Sequence, residues 1–218
     1  MIKQTILFIS LIVFCVNAFS QKAIGDFYFQ PKHMFIRVFK HEMELEVWLS
    51  DSTEYKLYKT YKICKLSGDF GPKRREGDYQ VPEGFYYIND FNPNSQYHLS
   101  LGVSYPNQSD KILSPYKSLG GNIYIHGNCV SVGCIAMGDK NIEEIYGLAK
   151  TIKGRIDIHI FPINYRYFKS LTYLEEKIKS KPELIEFEQN LFEGYQFFQE
   201  NEILPEIEFR EDGFCNFK

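Results

Sequence analysis

The chain has 218 residues, with 25 Lys and Arg against 28 Asp and Glu and a formal charge of −3. Because the lysines are scattered among glutamates, the chain has no basic face, which excludes nucleic acid as its main partner. Hydrophobic residues make up 44% of the sequence, enough for one domain with a real core.

The start of the chain, MIKQTILFISLIVFCVNAFS, predicts a secretory signal peptide over residues 1–20. An apolar run from Thr5 to Val16 follows a lysine, and Ala18–Ser20 places small residues before a cut at Gln21. A membrane anchor is the alternative, but the run is shorter than the ~20 residues that a span needs. We therefore predict export to the periplasm or cell envelope, a mature chain without a transmembrane span, and a lead segment over 21–33.

Short segments that alternate between apolar and polar residues begin at residue 34, as expected for strands. The segments MFIRVFK, MELEVWLS and YKLYKTYKICKL are predicted strands, and in the second Leu45, Val47 and Leu49 share one face. Their spacing of ~8–12 residues favours antiparallel strands over βαβ units. Further strands are predicted at 85–88, 123–126 and 155–163.

The segment GDFGPKRREGDYQVPEG, residues 68–84, is rich in glycine, proline and charge. This composition predicts a loop, and its length is typical of a functional one.

Helices are predicted toward the C-terminus. Apolar residues recur at helical spacing over 139–153, where Asp139 or Asn141 can cap the first turn. A second amphipathic helix is predicted over 182–201, and residues 207–218 form a strand or tail. The chain therefore reads as one mainly β domain with added helices.

One block, IYIHGNCVSVGCIAM at residues 123–137, contains a histidine and two cysteines. His126 lies on the strand face opposite Ile123 and Ile125, and an imidazole there can take a proton from the Cys134 thiol to make it a nucleophile. Gly133 leaves the thiol accessible. The consecutive N–H groups of Val132, Gly133 and Cys134 can converge on a developing oxyanion.

The cysteines allow other interpretations. The pattern H-x2-C-x4-C offers three soft ligands, although structural zinc sites usually have four. A disulfide between Cys129 and Cys134 is possible at this spacing. Buried inert sulfur is favoured for Cys64, and Cys215 is either free or paired with Cys64.

The segment HGNCVSVGCIAMGDKNIEEIY resembles the active-site block of the L,D-transpeptidases of the YkuD/ErfK type, and most closely their YafK-like branch. The likeness extends to FIRVFKHEMELEVWLSDSTEYKLYKTYKIC, GPKRREGDYQVPEGFYYI and NPNSQYHLSLGVSYPNQSD, in the same order. The resemblance covers residues 34–165, and a weaker similarity continues to about residue 210.

The resemblance implies a twisted mixed β-sandwich or barrel for the catalytic domain, residues 34–165, followed by a helical extension and tail, 166–218. It places the nucleophile at Cys134, its base at His126, and at Gly127 a carbonyl that orients the imidazole. It also places the oxyanion hole at the amides of Val132, Gly133 and Cys134.

This chain departs from the resembled family at two positions, and a third keeps two possible roles. The usual S-H-G-C is Ser131-Val132-Gly133-Cys134 here, and Ala136 replaces an arginine. These differences put the substrate or the acceptor step in doubt. Cys129 matches a cysteine of the branch and is either structural or a reversible partner of Cys134.

The resemblance further implies acyl transfer between peptidoglycan stem peptides through a thioester, with neither cofactor nor metal. A wall-attached protein is a possible acceptor or substrate. A hydrolase on the same scaffold and a non-catalytic wall-binding module are the alternative functions. Guanidinium groups suit carboxylates, and the candidate substrate contacts are Lys73, Arg74, Arg75, Tyr97, Ser100, Asn107 and Asp110.

Overall fold

Ten β-strands and four α-helices form the described part of the chain, residues 31–218, in this computed structural model. The strands are β1 His33–Phe39, β2 Glu44–Ser50, β3 Lys56–Lys62, β4 Gly84–Ser95, β5 His98–Val103, β6 Tyr124–His126, β7 Ile135–Ala136, β8 Asp157–Phe161, β9 Ile207–Phe209 and β10 Cys215–Phe217. The helices are α1 Gln108–Leu113, α2 Asp139–Thr151, α3 Phe168–Ser180 and α4 Ile185–Asn201. The predicted signal peptide and most of the lead segment lie outside the described residues.

Eight of the strands form one mixed sheet in the order β3-β2-β1-β8-β4-β5-β6-β7. The pairs β1–β8 and β6–β7 are parallel, and the other neighbours in this sheet are antiparallel. The predicted fold class, mainly β with added helices, is confirmed. Strands β9 and β10 form a separate hairpin.

The central strands are buried on both faces because helices cover the sheet from both sides. Along β1, Met34, Ile36 and Val38 point into the largest apolar cluster, which also includes Ile142 and Ile145 of α2. The alternate residues of β1 and its neighbours pack against α4 instead. This second layer is aromatic, with Phe35, Trp48, Phe85, Phe161, Tyr195 and Phe198 among its members.

A buried ion pair fixes the C-terminal extension to the sheet. Arg37 is fully buried and its Nη2 donates to Glu46 Oε2 at 2.7 Å. The other oxygen of Glu46 accepts from Arg166, at the start of the extension. Aromatic rings of β1, β2 and α4 surround the Arg37 guanidinium. Residues Pro31–Lys218 thus form one compact unit.

The predicted elements agree with the structure in the first strands and differ in detail later. The strand predicted at 85–88 runs on to Ser95, and two helices, α1 and α3, were not predicted. Neither predicted cap closes α2: its N-cap is Gly138, without a side-chain cap. The Asp139 carboxylate instead accepts from the backbone N–H of Asn128, 2.7 Å away.

The cysteine pairing corrects one expectation, for Cys64, and decides between alternatives that the sequence left open for Cys129 and Cys215. Cys64 and Cys129 form a disulfide with their Cα atoms 5.4 Å apart, and both residues are exposed. Cys64 is therefore not buried inert sulfur, and Cys129 pairs with neither Cys134 nor a metal. Cys215 is a buried free thiol rather than a partner of Cys64. The pairing arises because Lys65, just after β3, forms an antiparallel bridge with Ala136 of β7. This bridge brings the segment that contains Cys64 close to the segment that contains Cys129.

Among residues 31–218, no helix is long and apolar enough to cross a membrane.

Candidate active site

Strand β6 presents His126 to one pocket of the molecule. Its neighbour Ile125 is fully buried in the core, so the period of two turns Tyr124 and His126 to the opposite face. The register pairs His126 with Ser100 on β5 and with Ala136 on β7. The predicted face of His126 is confirmed.

The His126 ring is held in one tautomer by its neighbour. Its Nδ1 lies 2.6 Å from the carbonyl oxygen of Gly127, the contact that the family resemblance implied. A carbonyl oxygen only accepts, so Nδ1 carries the proton, and in the neutral ring Nε2 keeps its lone pair. Burial lowers the pKa of His126, and the Gly127 carbonyl opposes this in part. The resting imidazole is therefore neutral at neutral pH.

Gly127 is needed at this turn because no side chain fits there. A Cβ at Gly127 would lie 2.6 Å from the Tyr97 carbonyl oxygen and 2.7 Å from Asp139 Oδ1. The N–H of Gly127 donates to Leu99 O at 3.1 Å, which ties the turn to β5.

Cys134 ends the loop that follows this turn and is half-buried. Its thiol donates to the carbonyl oxygen of Asn122 at 3.5 Å. Burial raises the pKa of the Cys134 thiol, while the N–H of Tyr124 and the charge of Lys73 partly lower it. With a raised thiol pKa and a lowered imidazole pKa, the resting pair is a neutral thiol and a neutral base rather than an ion pair.

One pocket of about 270 Å³ contains both groups. Its lining side chains carry amide, hydroxyl, imidazole and thiol groups but no lysine, arginine or carboxylate. The lining residues are Asn92, Ser95, Gln96, Tyr97, Ser100, Asn122, Tyr124, His126 and Cys134.

The loop before Cys134 has one amide that is already occupied. The N–H of Gly133 donates to Ser67 Oγ at 2.5 Å. Gly133 has a φ of +89°, a conformation that favours glycine. Ser131 Oγ donates to the carbonyl oxygen of Cys134 at 2.6 Å.

The sequence profile of YkuD, described as the L,D-transpeptidase catalytic domain, matches residues 35–159. The chain belongs to this family. The Escherichia coli K12 protein named "Putative L,D-transpeptidase YafK" is 32% identical over 180 residues, which are 80% of this chain and 70% of that protein. A protein of the same name from E. coli O157:H7 matches equally well.

Two solved structures share the fold. The helical cell shape determining protein Pgp2 from Campylobacter jejuni superposes with a TM-score of 0.50 at 24% identity, over 67% of this chain and 55% of that one. Its K307A mutant gives a TM-score of 0.51 at 23% identity, over 63% and 49%. The chain thus spans about half the length of these structures, and the likeness concerns the fold alone.

The pocket lining separates the predicted substrate contacts into two groups. Tyr97 and Ser100 line the pocket beside Cys134. Arg74 does not line it, because its Nη1 pairs with Asp110 at 3.1 Å. Arg75 is exposed, with its guanidinium over the Tyr116 ring.

Asn107 and Asp110, also predicted to contact substrate, have a structural role instead. They form the capping box that starts α1: each side chain accepts from the backbone N–H of the other. Asp110 also accepts from the Tyr86 hydroxyl at 2.9 Å. Burial raises the pKa of Asp110 to about 6, although this hydrogen bond acts to lower it.

Lys73 is buried and pairs with Asp78 at 2.6 Å. Its side chain is therefore not available for substrate carboxylates, and its charge acts on Cys134 from within the loop.

Several pocket residues were not predicted from the sequence. Tyr124 was detectable, because it shares the strand face of His126 at a period of two. Asn122 has a φ of +56° that no pattern indicated. The remaining three, Asn92, Ser95 and Gln96, belong to the end of β4 and the β4–β5 turn, whose extent the sequence did not indicate.

Proposed function

We propose that the protein is an exported L,D-transpeptidase that acts on peptidoglycan stem peptides through a thioester on Cys134. One observation carries the proposal: the thiol of Cys134 and the ring of His126 open into the same pocket, in a chain of the L,D-transpeptidase family. The name of the E. coli relative supports the same activity.

His126 is the proposed base. Because Nδ1 is bonded to the Gly127 carbonyl, only Nε2 is free to take the Cys134 proton. Both groups rest neutral, so the proton moves as the substrate carbonyl approaches and the thiolate is consumed at once. The thiol then has to leave its contact with Asn122, which lies 3.5 Å away.

The reaction proceeds in two halves. The Cys134 sulfur attacks an amide carbonyl on the L-centre side of a diamino acid, and His126 gives its proton to the leaving amine. The product of this half is a thioester. An acceptor amine then attacks the thioester while His126 takes the amine proton, which restores the thiol.

The chemistry of the pocket suits a peptide. Amide and hydroxyl side chains, such as Asn92, Gln96 and Ser100, can pair with substrate amides, which carry one donor and one acceptor each. Because this pocket has no fixed cation, substrate carboxylates are expected to face its solvent side.

Export is supported by two features. The predicted signal peptide, residues 1–20, has the three parts of a secretory signal. The Cys64–Cys129 disulfide is the second, since disulfides persist in oxidising compartments such as the periplasm.

The test is incubation of the mature chain, residues 21–218, with purified tetrapeptide muropeptides, followed by mass spectrometry. Reductant is omitted because it opens Cys64–Cys129, and Cys134→Ala is the control. Dimers joined between two diamino acids, with D-alanine released, are expected. Cleaved monomers alone would instead identify the hydrolase, and a wall-attached protein would be the next substrate. No product, with Cys134 still alkylated readily, would overturn the proposed substrate.

A further inference from the structure

Ser67 lies outside the motif that contains Cys134, yet it contacts the loop that carries the nucleophile. Its Oγ accepts from the N–H of Gly133 at 2.5 Å. The same hydroxyl donates to the carbonyl oxygen of Tyr79 at 2.8 Å. A serine hydroxyl has one hydrogen, so with that hydrogen given to Tyr79 the oxygen can only accept from Gly133. In this contact the Gly133 N–H is therefore the donor and the Ser67 hydroxyl oxygen is the acceptor.

The position of Ser67 is itself held by the sheet and by the disulfide. The N–H of Cys64 donates to Ala136 O at 2.8 Å, and Lys65 forms an isolated antiparallel bridge with the same residue. The Cys64–Cys129 disulfide joins the two segments again. The segment of residues 64–67 is therefore held beside the loop that ends at Cys134.

The two peptide groups around the nucleophile are each held by a serine. Ser67 fixes the amide of Gly133, and Ser131 fixes the carbonyl of Cys134 at 2.6 Å. Gly133 has a φ of +89°, where the peptide could otherwise rotate freely because glycine lacks a Cβ. A hydrogen bond to its N–H removes that freedom.

This arrangement decides which amide is open for an oxyanion. The Gly133 N–H is occupied, whereas within residues 31–218 the N–H of Cys134 has no hydrogen-bond acceptor. An oxyanion needs donors that are already oriented and unpaired when the charge develops.

We propose that Ser67 is a positioning residue for acyl transfer: by holding the Gly133 amide, it orients the Cys134 N–H toward the oxyanion. The proposal rests on the acyl chemistry proposed for Cys134, but not on peptidoglycan as the substrate. It also removes the Gly133 N–H from the set of donors predicted for the oxyanion hole, because this N–H is paired with Ser67 and Gly133 contributes only through its backbone conformation.

The experiment compares two reactions of the same thiol in Ser67→Ala and the wild type. Acylation by p-nitrophenyl acetate passes through a tetrahedral oxyanion, whereas alkylation by iodoacetamide does not. A change in the thiol's reactivity alters both rates, and a change in the oxyanion hole alters only acylation. Rates are taken after subtracting those of Cys134→Ala, which accounts for the buried Cys215 thiol.

We expect Ser67→Ala to lower the acylation rate roughly 10-fold and to leave alkylation within about 2-fold of the wild type. Ser67→Thr keeps the hydroxyl and should restore most of the acylation rate. A cavity of about 240 Å³ that Ser67 also lines gives its methyl group room. Ser52→Ala, an exposed serine in the β2–β3 turn, is the matched control.

Three results would overturn the proposal: equal falls in both rates, no change in either rate, or faster acylation in Ser67→Ala. The last would mean that the released Gly133 N–H joins the oxyanion hole. Failure of the wild type to transfer muropeptides would count against the proposed function alone, because p-nitrophenyl acetate reports the oxyanion hole without a stem peptide.

Discussion

Tyr97 lies against His126, with the two ring centroids 4.7 Å apart and the ring planes tilted by 34°. The imidazole is thus held on its face by an aromatic ring and at Nδ1 by the Gly127 carbonyl. Tyr97 belongs to the β4–β5 turn, and the next residue, His98 at the start of β5, contacts Glu143 of α2 through its Nε2 at 2.7 Å. The orientation of the His126 ring therefore depends on a hairpin distant from it in sequence.

The first prediction concerns this ring contact. Tyr97→Ala is expected to lower kcat by about 10-fold, because a base that can rotate spends less time in the geometry for proton transfer. Tyr97→Phe keeps the ring and should retain most of the activity. Steady-state kinetics of both variants, with the muropeptide that the wild type uses as substrate, measures the two kcat values. If the two variants lost activity equally, the hydroxyl rather than the ring would be the important group.

The second prediction compares two glycines. Gly127→Ala places a methyl group 2.6 Å from Tyr97 O, so the turn that holds His126 has to shift. We expect a loss of at least about 2 kcal/mol in stability and of most activity. Gly147→Ala is the matched control, since a Cβ there meets no atom within 4 Å and lies in α2, where alanine is favoured by up to about 1 kcal/mol. Chemical denaturation and kinetics of both variants test this contrast. A Gly127→Ala protein with wild-type stability would contradict it.

The third prediction concerns the thiol. Because burial keeps the pKa of Cys134 above its ordinary value of 9.0, alkylation should rise about 10-fold per pH unit from pH 7 to pH 9 without reaching a plateau. The positive charge of Lys73 lowers this pKa, so Lys73→Met should raise it and slow alkylation at pH 8 several-fold. The alkylation rates are measured by quenching the reaction at timed intervals and quantifying the alkylated protein by mass spectrometry.

Lys150→Met, an exposed lysine of α2, is the control for that variant. Lys73→Met/Asp78→Asn removes both partners of the buried pair and separates the charge effect from an unpaired carboxylate. A plateau below pH 9 in the wild type would contradict the prediction, since it would indicate a resting thiolate beside a protonated His126.

Local patterns in the sequence were enough to predict several strands and the helix α2. In β1 and β2 aliphatic residues alternate with aromatic and polar ones although both faces are buried, and the helical spacing of α2 reflects one buried face; both patterns are visible at short range. The position of His126 follows from the same alternation, because Ile125 is committed to the core.

Long-range pairing was not predictable in the same way. Cys64 and Cys129 are 65 residues apart, and only the return of the chain beside Ala136 makes them neighbours. Asn107 and Asp110 looked like substrate contacts because polar residues near a motif suggest a site. Their spacing of three is also that of a capping box, and the helix it starts has only six residues. Ser67 carries no sequence signal at all, since its role depends on an amide elsewhere.

The fourth prediction concerns the disulfide. Closing a segment of 65 residues restricts the unfolded chain, and chain entropy gives about 4 kcal/mol of stabilisation. Cys64→Ala/Cys129→Ala should therefore lower the free energy of unfolding by about that amount. It should also lower the acylation rate of Cys134, because the segment that contains Ser67 is held less firmly beside the loop. Urea denaturation without reductant measures the first effect.

Reductant provides the control for that variant. Dithiothreitol should destabilise the wild type and leave Cys64→Ala/Cys129→Ala unchanged, since the other cysteines of residues 31–218, Cys134 and Cys215, are free already. A wild type that kept its full stability in dithiothreitol would mean that the disulfide adds nothing to stability.

The last prediction concerns His159, which is buried among Phe35, Phe85 and Phe161. Burial, with smaller contributions from the charges of Arg37 and Arg155, lowers its pKa to about 3. In the unfolded chain the ring takes up a proton near pH 6.5, whereas in the folded chain it does not until about pH 3. Unfolding therefore binds a proton in this window, and the contribution of His159 to stability should fall by about 1.4 kcal/mol per pH unit as the pH drops from 6.5 toward 3.

Asp110 acts in the opposite direction and has to be separated. Its pKa is raised to about 6, so the folded chain holds a proton between pH 6 and its ordinary value of 3.8, and acid stabilises the fold there. Urea denaturation from pH 7 to pH 4 should show a shallower acid loss for His159→Leu than for the wild type, and a steeper one for Asp110→Asn. Equal slopes for His159→Leu and the wild type would mean that His159 takes up a proton without unfolding, and that the aromatic layer under α4 admits water.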